Sequence, residues 1–336
     1  MASATILDVA KLAGVSPSTV THALNGKRPV SSDTKQKVNE AISSLGYVAS
    51  RSASNLRSGK SGIIGCYAVD ITESFANQIV RGIEKGLAGS GKSLLFASGA
   101  ELDCNLDAAY DFFRAYDVDG LLFCHHLTVD SRLVGSFSRH DIPVVSINKE
   151  MENIPSIVPD NYAGGRQAAD HLISSGMRYP AIISGPLDRD SAVQRNKGFM
   201  ARLDELGIAM PSSFCLDGAY SFEHGYEAAK QLLEKSARID GIFCSNDYIA
   251  AGAITAVTES GRKVPDDVLI LGFDNRDFSS FWPIPISTFE QPLQQMGFMG
   301  IGLLRSMIDL PRTEGNECSK LQSNLIVRAS TTRKKI

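Results

Sequence analysis

Long apolar runs are missing from this 336-residue chain. No stretch approaches the roughly 18 apolar residues that a membrane-crossing helix needs, so no membrane partner is expected. The first residues lack the charged start and apolar block of a secretory signal, which makes the cytoplasm the expected compartment. The six cysteines are scattered, without a C-x-x-C pair. With Cys66, Cys124 and Cys244 inside apolar, strand-like runs, buried reduced thiols are the expectation. There is a single tryptophan, Trp282. Tyr220 and Trp282 stand as candidate stacking faces for a bound ring, with plain core packing as the alternative for each. Hydrophobic residues make up 43%, enough for a large core, and the length allows two or three domains.

Charge is unevenly spread. The first 60 residues hold eight Lys and Arg against three Asp and Glu, a net +5 in a chain whose total is −3, which leaves −8 on residues 61–336. A basic head on an acidic body is the electrostatic footprint of a DNA reader that does not bind polyanions over its whole surface. The head also has the local chemistry of helices. Thr5 is placed to cap a first helix, with Asp8 three residues on. Gly14 stops it. Ser16 caps a second helix, and Pro17 sits in its first turn, where a missing N–H costs little. Val9 and Leu12 share one face of the first helix; Val20 and Leu24 form the stripe of the second. Ser16, Ser18, Thr21, His22 and Asn25 are left facing outward. A third helix follows Ser31 and Ser32, with Val38, Ile42 and Leu45 at i, i+4 and i+7, and ends at Gly46. The pattern predicts a helix-turn-helix whose second helix enters the major groove of duplex DNA.

From Gly62 onward, short apolar runs alternate with helical stretches. Strands are expected at 62–69, 93–97, 121–124, 144–147, 181–184, 241–244 and 269–272. Helices are expected around Ile79–Leu87 and at 106–116, 163–175, 196–206, 225–234 and 249–260. Such alternation implies parallel sheets covered on both faces. Asp119-Gly-Leu-Leu-Phe-Cys124 resembles Asp240-Gly-Ile-Phe-Cys244, so two similar doubly wound lobes are expected. Ligands of such sheets bind beyond the carboxyl ends of the strands. Those ends would deliver Asp70, Asn148, 188–191, Asn246, Asp247 and Asp274. Helix capping or hinge duty remains the alternative for Asp160, Asn161 and Asp247. Arg195 is read as opening a helix, where the dipole disfavours a cation, so a ligand role is expected of it: its donor fork suits vicinal hydroxyls or a carboxylate.

Two features point elsewhere. Gly86-Leu-Ala-Gly-Ser-Gly91-Lys92-Ser93 fits the phosphate-loop pattern of nucleotide hydrolases. Here it closes a helix and precedes a strand, the reverse of the order in which helix N–H groups meet phosphate. His125-His126 offers two metal ligands and no third at a recognisable spacing, so no metal and no cofactor are expected. Nothing resembles a catalytic triad, so the chain is not expected to be an enzyme. A solute-binding protein without DNA work is excluded by the head and the missing signal.

The chain resembles the LacI/GalR family of bacterial transcription regulators along nearly its full length. The head carries Asp8-Val-Ala-x-x-Ala-Gly-Val-Ser16-x-x-Thr-Val20 and Ala41-Ile42-x-x-Leu45-Gly-Tyr47. The body carries Gly82-Ile-Glu84, Val118-Asp-Gly-Leu-Leu122, Ile142-Pro-Val144, Asp160-Asn161, His171-Leu-Ile173, Ser184-Gly-Pro186, Arg195…Gly198-Phe199, Asn246-Asp247 and Gly272-Phe-Asp274. The resemblance implies an all-α helix-turn-helix head (1–48), a linker helix (49–60), and an α/β core (61–332) of two doubly wound parallel-sheet lobes like a type I periplasmic binding protein. The lobes would comprise 61–160 with 292–321, and 161–291 with 322–332.

The same resemblance assigns roles. Pro17, Ser18 and His22 fall at groove-reading positions. Ser16, Thr19, Asn25, Ser31, Thr34 and Tyr47 fall at phosphate contacts, and Thr5 and Thr21 join the DNA face. Pro17 cannot donate to a base, so reading rests on Ser18 and His22. In the linker, Ser50, Ala53, Leu56 and Arg57 would meet DNA, Leu56 as a wedge in the minor groove. Phe75, Asp190 or Ser191, Arg195, Tyr220, Asn246 and Asp274 fall at effector positions. A homodimer on double-stranded operator DNA, acting as a repressor under a sugar-like effector, is implied. A purine or nucleoside co-repressor is the alternative. Ser74 stands where purine-type regulators carry a stacking aromatic, which weakens that alternative.

Overall fold

The computed structural model describes residues 4–25, 28–47, 60–68, 74–99, 106–124, 142–310 and 317–333. The chain divides into two compact units, Met1–Ser61 and Gly62–Ile336.

The first unit holds α1 (Ile6–Ala13), α2 (Pro17–Asn25) and α3 (Ser32–Leu45). Its helix ends follow the sequence closely. Thr5 and Asp8 form a reciprocal capping box, with the Thr5 N–H donating to Asp8 Oδ2 at 2.8 Å. Gly14 and Gly46 end α1 and α3 in the left-handed region, at φ 67° and 59°, where a side chain would be strained. The Thr19 N–H donates to Ser16 Oγ at 3.1 Å, so Ser16 caps α2. The core is small: Val9, Ala10, Ala13, Val20, Val38 and Ala41 are buried, with Ile42, Leu45 and Tyr47 packed against them. Leu12 and Leu24 are not part of it, being 55% and 40% exposed. Three short helices cross closely enough that alanines fill the contact, and the bulkier leucines are turned out.

The second unit is built on parallel sheets. β1 (Ile63–Ala68), β2 (Ser93–Ser98), β3 (Gly120–Cys124), β4 (Val144–Ile147), β5 (Ser156–Pro159) and β11 (Cys318–Leu321) form one sheet in the order β11-β5-β4-β3-β1-β2. β6 (Pro180–Ser184), β7 (Cys215–Asp217), β8 (Gly241–Cys244) and β9 (Leu269–Leu271) form a second, in the order β7-β6-β8-β9. All pairings within both sheets are parallel. β10 (Thr288–Glu290) and β12 (Asn324–Ile326) pair antiparallel in a separate ribbon. The chain leaves the first sheet after Pro159, returns through β10, and departs again after Leu321. The central strands are buried on both faces, as continuous Ile, Leu, Val and Phe runs require.

The two similar Asp-Gly strands occupy equivalent places. Asp119 before β3 accepts the Gly62 N–H at 3.0 Å, just ahead of β1. Asp240 before β8 accepts the Tyr179 N–H at 2.7 Å, just ahead of β6. Each carboxylate thus fixes the start of the neighbouring strand.

The helices α4 (Ser74–Leu87), α5 (Leu106–Ala115), α6 (Asn161–Ser174), α7 (Asp190–Glu205), α8 (Phe222–Lys235), α9 (Asp247–Glu259) and α10 (Leu293–Asp309) flank these sheets. Three pairs, α4–α10, α6–α7 and α8–α9, pack through reciprocal glycines. A Cβ on Gly82 or Gly297 would lie 2.0 or 2.1 Å from the Gln294 or Ile79 carbonyl oxygen. The same holds for Gly165 and Gly198 against the Arg195 and Tyr162 oxygens, and for Gly225 and Gly252 against those of Ile249 and Phe222. No described helix is long and apolar enough to cross a membrane.

Candidate functional site

The carboxyl ends of the strands in the second unit surround a cavity of about 180 Å³. Its lining brings together Phe75 of α4, Asn148 beyond β4, Ser191 and Arg195 of α7, Tyr220, Asn246 beyond β8 and Asp274 beyond β9. Of the effector positions named from sequence, only Asp190 lies elsewhere. It faces an adjoining polar cavity of about 330 Å³ with Asn161, Gln194 and Lys320, so of the pair Asp190 and Ser191 it is Ser191 that lines the first cavity. Sequence reading missed Tyr248, Arg276 and Gln291 in the lining. The first two lie beside Asp247 and Asp274, and their proximity in sequence was the available signal. Gln291 carried none beyond its place before Pro292.

Arg195 organises the floor. Helix α7 begins at Asp190, not near residue 196, so Arg195 sits in its second turn and the dipole does not explain it. Its environment does. The side chain is buried, with Nε donating to Asn161 Oδ1 at 2.9 Å and Nη1 to the Ser245 carbonyl at 2.6 Å. Nη2 lies 3.5 Å from Asp274 Oδ1, and the guanidinium stacks 3.7 Å from the centre of the Phe273 ring. Gln291 Nε2 also donates to Asp274 Oδ1, at 2.7 Å. Asp160 caps α6 through the Ala163 N–H, and Asn246 caps α9 through the Ile249 N–H, both at 2.9 Å.

Aromatic placement separates the two stacking candidates. Tyr220 lines the cavity, its hydroxyl 3.1 Å from Ser191 Oγ. Burial pushes its phenol up from the ordinary range, so it remains a neutral donor. Its ring rests on Gly185, where a Cβ would come within 2.1 Å of it. Trp282 packs instead against Phe222 and Phe278, at ring-centre distances of 6.0 and 5.8 Å, so it is a core aromatic. Asn148, Asp274 and Asn275 hold left-handed backbone at φ 76°, 102° and 50°. Strain of this kind concentrates where side chains must be aimed at a ligand.

In the first unit, Ser16, Pro17 and Ser18 are exposed, and Thr19, Thr21 and His22 partly so. Ser16 Oγ lies 2.7 Å from Ser18 Oγ and 2.8 Å from Thr19 Oγ1, a hydroxyl cluster at the α2 N-terminus. The Thr21 hydroxyl is turned onto its own helix, donating to the Pro17 carbonyl at 3.0 Å. Ser31 caps α3 and lies 2.8 Å from Thr34 Oγ1. Asn25 ends α2. Ser50, Ala53, Leu56 and Arg57, like Asp70 and the His125-His126 pair, lie outside the described residues.

The phosphate-loop match closes α4 and leads into β2, and Lys92 Nζ donates to Asp119 Oδ2 at 2.9 Å. The lysine thus anchors a strand start, at a helix end that repels phosphate. Among the described residues no His, Cys, Asp and Glu cluster is arranged to hold a metal.

Residues 5–50 match the model of bacterial regulatory proteins of the lacI family, and residues 169–331 match a periplasmic binding protein-like domain. The HTH-type transcriptional repressor PurR of Histophilus somni is 33% identical over 97% of this chain and 98% of its own. The chain belongs to the LacI family. Among solved structures, the lac repressor dimer bound to operator and the anti-inducer ONPF has a TM-score of 0.85 at 25% identity, covering 99% of this chain and 100% of that one. A complex of the transcriptional regulator CelR with cellobiose has a TM-score of 0.71 at 28% identity, covering 97% and 99%. The protein is a DNA-binding transcriptional repressor under small-molecule control, not an enzyme.

Proposed function

We propose that the effector is a polyhydroxylated, sugar-like molecule held in the cavity around Arg195 and Asp274. The observation that carries this is the pairing of that buried donor fork with that carboxylate, 3.5 Å apart in the cavity lining. A sugar hydroxyl both donates and accepts, so vicinal hydroxyls match a donor beside an acceptor. Ser191, Asn148, Asn246 and Gln291 add further polar partners, and Phe75, Tyr220 and Tyr248 supply apolar faces. The cellobiose bound by CelR agrees with this chemistry.

On the DNA side, α2 enters the major groove, with Ser18 and His22 reading bases while Pro17 only shapes the approach. Ser16, Thr19, Ser31 and Thr34 offer hydroxyls to phosphate. Residues 49–60 form the linker, and Leu56 wedges the minor groove. Two copies bind together, each head on one half of a near-palindromic site; the dimeric lac repressor on operator supports this. Effector binding changes the angle between a lobe of 61–160 with 292–321 and a lobe of 161–291 with 322–332, and so the spacing of the linkers.

A purine co-repressor is the second reading, favoured by the likeness to PurR and by the aromatics Phe75 and Tyr220. One screen tests both. Thermal shifts of the full chain are measured against sugars, sugar acids, sugar phosphates, nucleosides and purine bases. The expected hit is a sugar-type compound that shifts the wild type, fails to shift Asp274→Asn, and alters affinity for DNA selected from a random pool. A purine hit with those properties replaces the sugar reading. A hit unaffected by Asp274→Asn moves the site elsewhere.

A further inference from the structure

Behind the effector cavity lies a carboxylate that none of these roles uses. Asp247, at the start of α9, is fully buried. It accepts three hydrogen bonds, two from the turn that holds Arg276 and Ser279 and one from β10. Oδ2 accepts the Arg276 backbone N–H and the Ser279 hydroxyl, both at 2.7 Å, and Oδ1 accepts the Thr288 hydroxyl at 2.6 Å. Arg276 belongs to the loop beyond β9 and lines the cavity. Ser279 lies in the single-turn helix Asp277–Ser280, and Thr288 opens β10, from which the chain runs into α10. Gly272 makes the arrangement possible, since a Cβ there would stand 2.3 Å from Asp247 Oδ1.

We propose that Asp247 is a positioning residue of the effector site: ionised, it ties the Arg276 wall of the cavity to β10, and on taking up a proton it slackens that wall. Its bearing on the effector rests on the cavity assignment above; the tie can be tested with no effector present.

The donors make the two states unequal. All three partners can donate to an ionised carboxylate, and such bonds are stronger than neutral ones. When a proton arrives, the Thr288 and Ser279 hydroxyls can turn to accept it, but the Arg276 N–H cannot. The Thr288 oxygen already accepts the Asn275 N–H at 3.2 Å. Turning it toward the new proton directs its own hydrogen away from Asp247 and loosens the link to β10. The bond to Arg276 weakens with the lost charge.

The balance lies near neutrality. Burial, with the neighbouring Asp274 charge, pushes Asp247 up to about 7, against the pull of its three donors. Among the charged and titratable groups around it, Arg328 donates to Asn275 Oδ1 and to the Ile286 carbonyl, both at 2.7 Å. Asp274 is paired with Arg195 of α7. Cys244, at the end of β8, is held well above its ordinary range by burial and by Asp247 itself, and stays a neutral thiol. The Arg276 guanidinium lies 5.6 Å from the centre of the Tyr248 ring. Glu290, at the end of β10, accepts from Asn275 Nδ2 at 3.2 Å, and Asp277 lies on the single-turn helix beside Ser279.

Trp282 is a built-in reporter. It packs on Phe278, the neighbour of Ser279, and Phe278 packs on Tyr248 in the cavity lining at 4.9 Å. The experiment is a titration of tryptophan emission from the full chain, without added ligand, from about pH 5 to about pH 9. The expected result is a one-proton transition centred near 7 in the wild type and its loss in Asp247→Asn. In Thr288→Val, which removes a donor favouring the charged form, the midpoint moves upward. Should Asp247→Asn fail to fold by circular dichroism, Thr288→Val and Ser279→Ala decide by the direction of their shifts. A flat wild-type trace, or a transition unchanged in every folded variant, overturns the tie. If the transition behaves as described while no compound in the screen binds the cavity, the cavity assignment falls and the tie stands.

Discussion

Substitution of Arg195 gives the sharpest test of how the cavity is held together. The residue is 3% exposed, and its side chain contacts Asn161, Ser245, Asp274 and the Phe273 ring. Alanine strands one buried acceptor, the Ser245 carbonyl, together with the half-buried Asn161 oxygen and a partly buried carboxylate. Each stranded acceptor costs about 1–3 kcal/mol, and breaking a buried ion pair costs about 3–5 kcal/mol. The terms overlap, because Asp274 keeps its bond from Gln291 and the groups share one cavity that water can enter. A total of about 3–5 kcal/mol is expected rather than their sum. For a body of this size each kcal/mol lowers Tm by about 2–4 °C, so Arg195→Ala should melt roughly 6–20 °C below the wild type. Arg195→Lys keeps a charge near Asp274 but cannot reach Asn161 and Ser245 at once, and should lose about 1–3 kcal/mol. Urea unfolding followed by Trp282 emission measures both. If both variants unfold within about 0.5 kcal/mol of the wild type, the network is not structural and the reasoning fails.

Other outcomes follow from the same structure. Gly165→Ala should cost about 1–3 kcal/mol by forcing α6 off α7, whereas Gly302→Ala, with nothing within 4 Å of its Cβ, should gain up to about 1 kcal/mol; urea midpoints compare them. Because Asp247 is held near 7 in the folded chain against 3.8 ordinarily, the native state binds that proton more tightly than the unfolded one. Its stabilising contribution is therefore full below about pH 4 and lost as pH rises through 7. The wild-type urea midpoint, taken relative to Asp247→Asn, should fall across that window and level off above it. His22→Ala should relax sequence preference while Lys35→Ala weakens selected and random duplexes alike, checked by binding at fixed salt. Equal losses on both DNAs for both variants count against the groove assignment.

The head was legible residue by residue because caps and stops act locally: Thr5, Gly14, Ser16 and Gly46 each do their work within a turn. Leu12 and Leu24 were not, because a 3.6-residue period says which positions share a face and not how closely three helices will cross. In the body, the buried central strands showed as apolar runs, while β5, β7, β10, β11 and β12 did not. Strands as short as β8 and β9 were found because every residue in them is apolar or glycine, whereas the missed ones are broken by polar residues such as Asp217, Glu290, Lys320 and Asn324, and β5 opens on Ser156 and ends in Pro159. The cavity was legible where strand ends carry Asn or Asp. Gln291 and Arg276 were hidden because their roles depend on how the chain passes between sheets. Arg195 was chosen for a reason that α7 does not bear out, and its importance comes from partners 34 to 79 positions away in sequence.

The reciprocal glycines constrain how this body can deform. Where two helices touch main chain to main chain, sliding one past the other by a single position would drive a Cβ into a carbonyl, so each pair behaves like a riveted joint. Creep within a layer is closed off, and a force arising at the cavity has only the narrow bridges after Pro159, after Glu290 and after Leu321 through which to be relieved. Three thin straps between stiff plates turn a small local push into a rotation rather than a smear of minor adjustments.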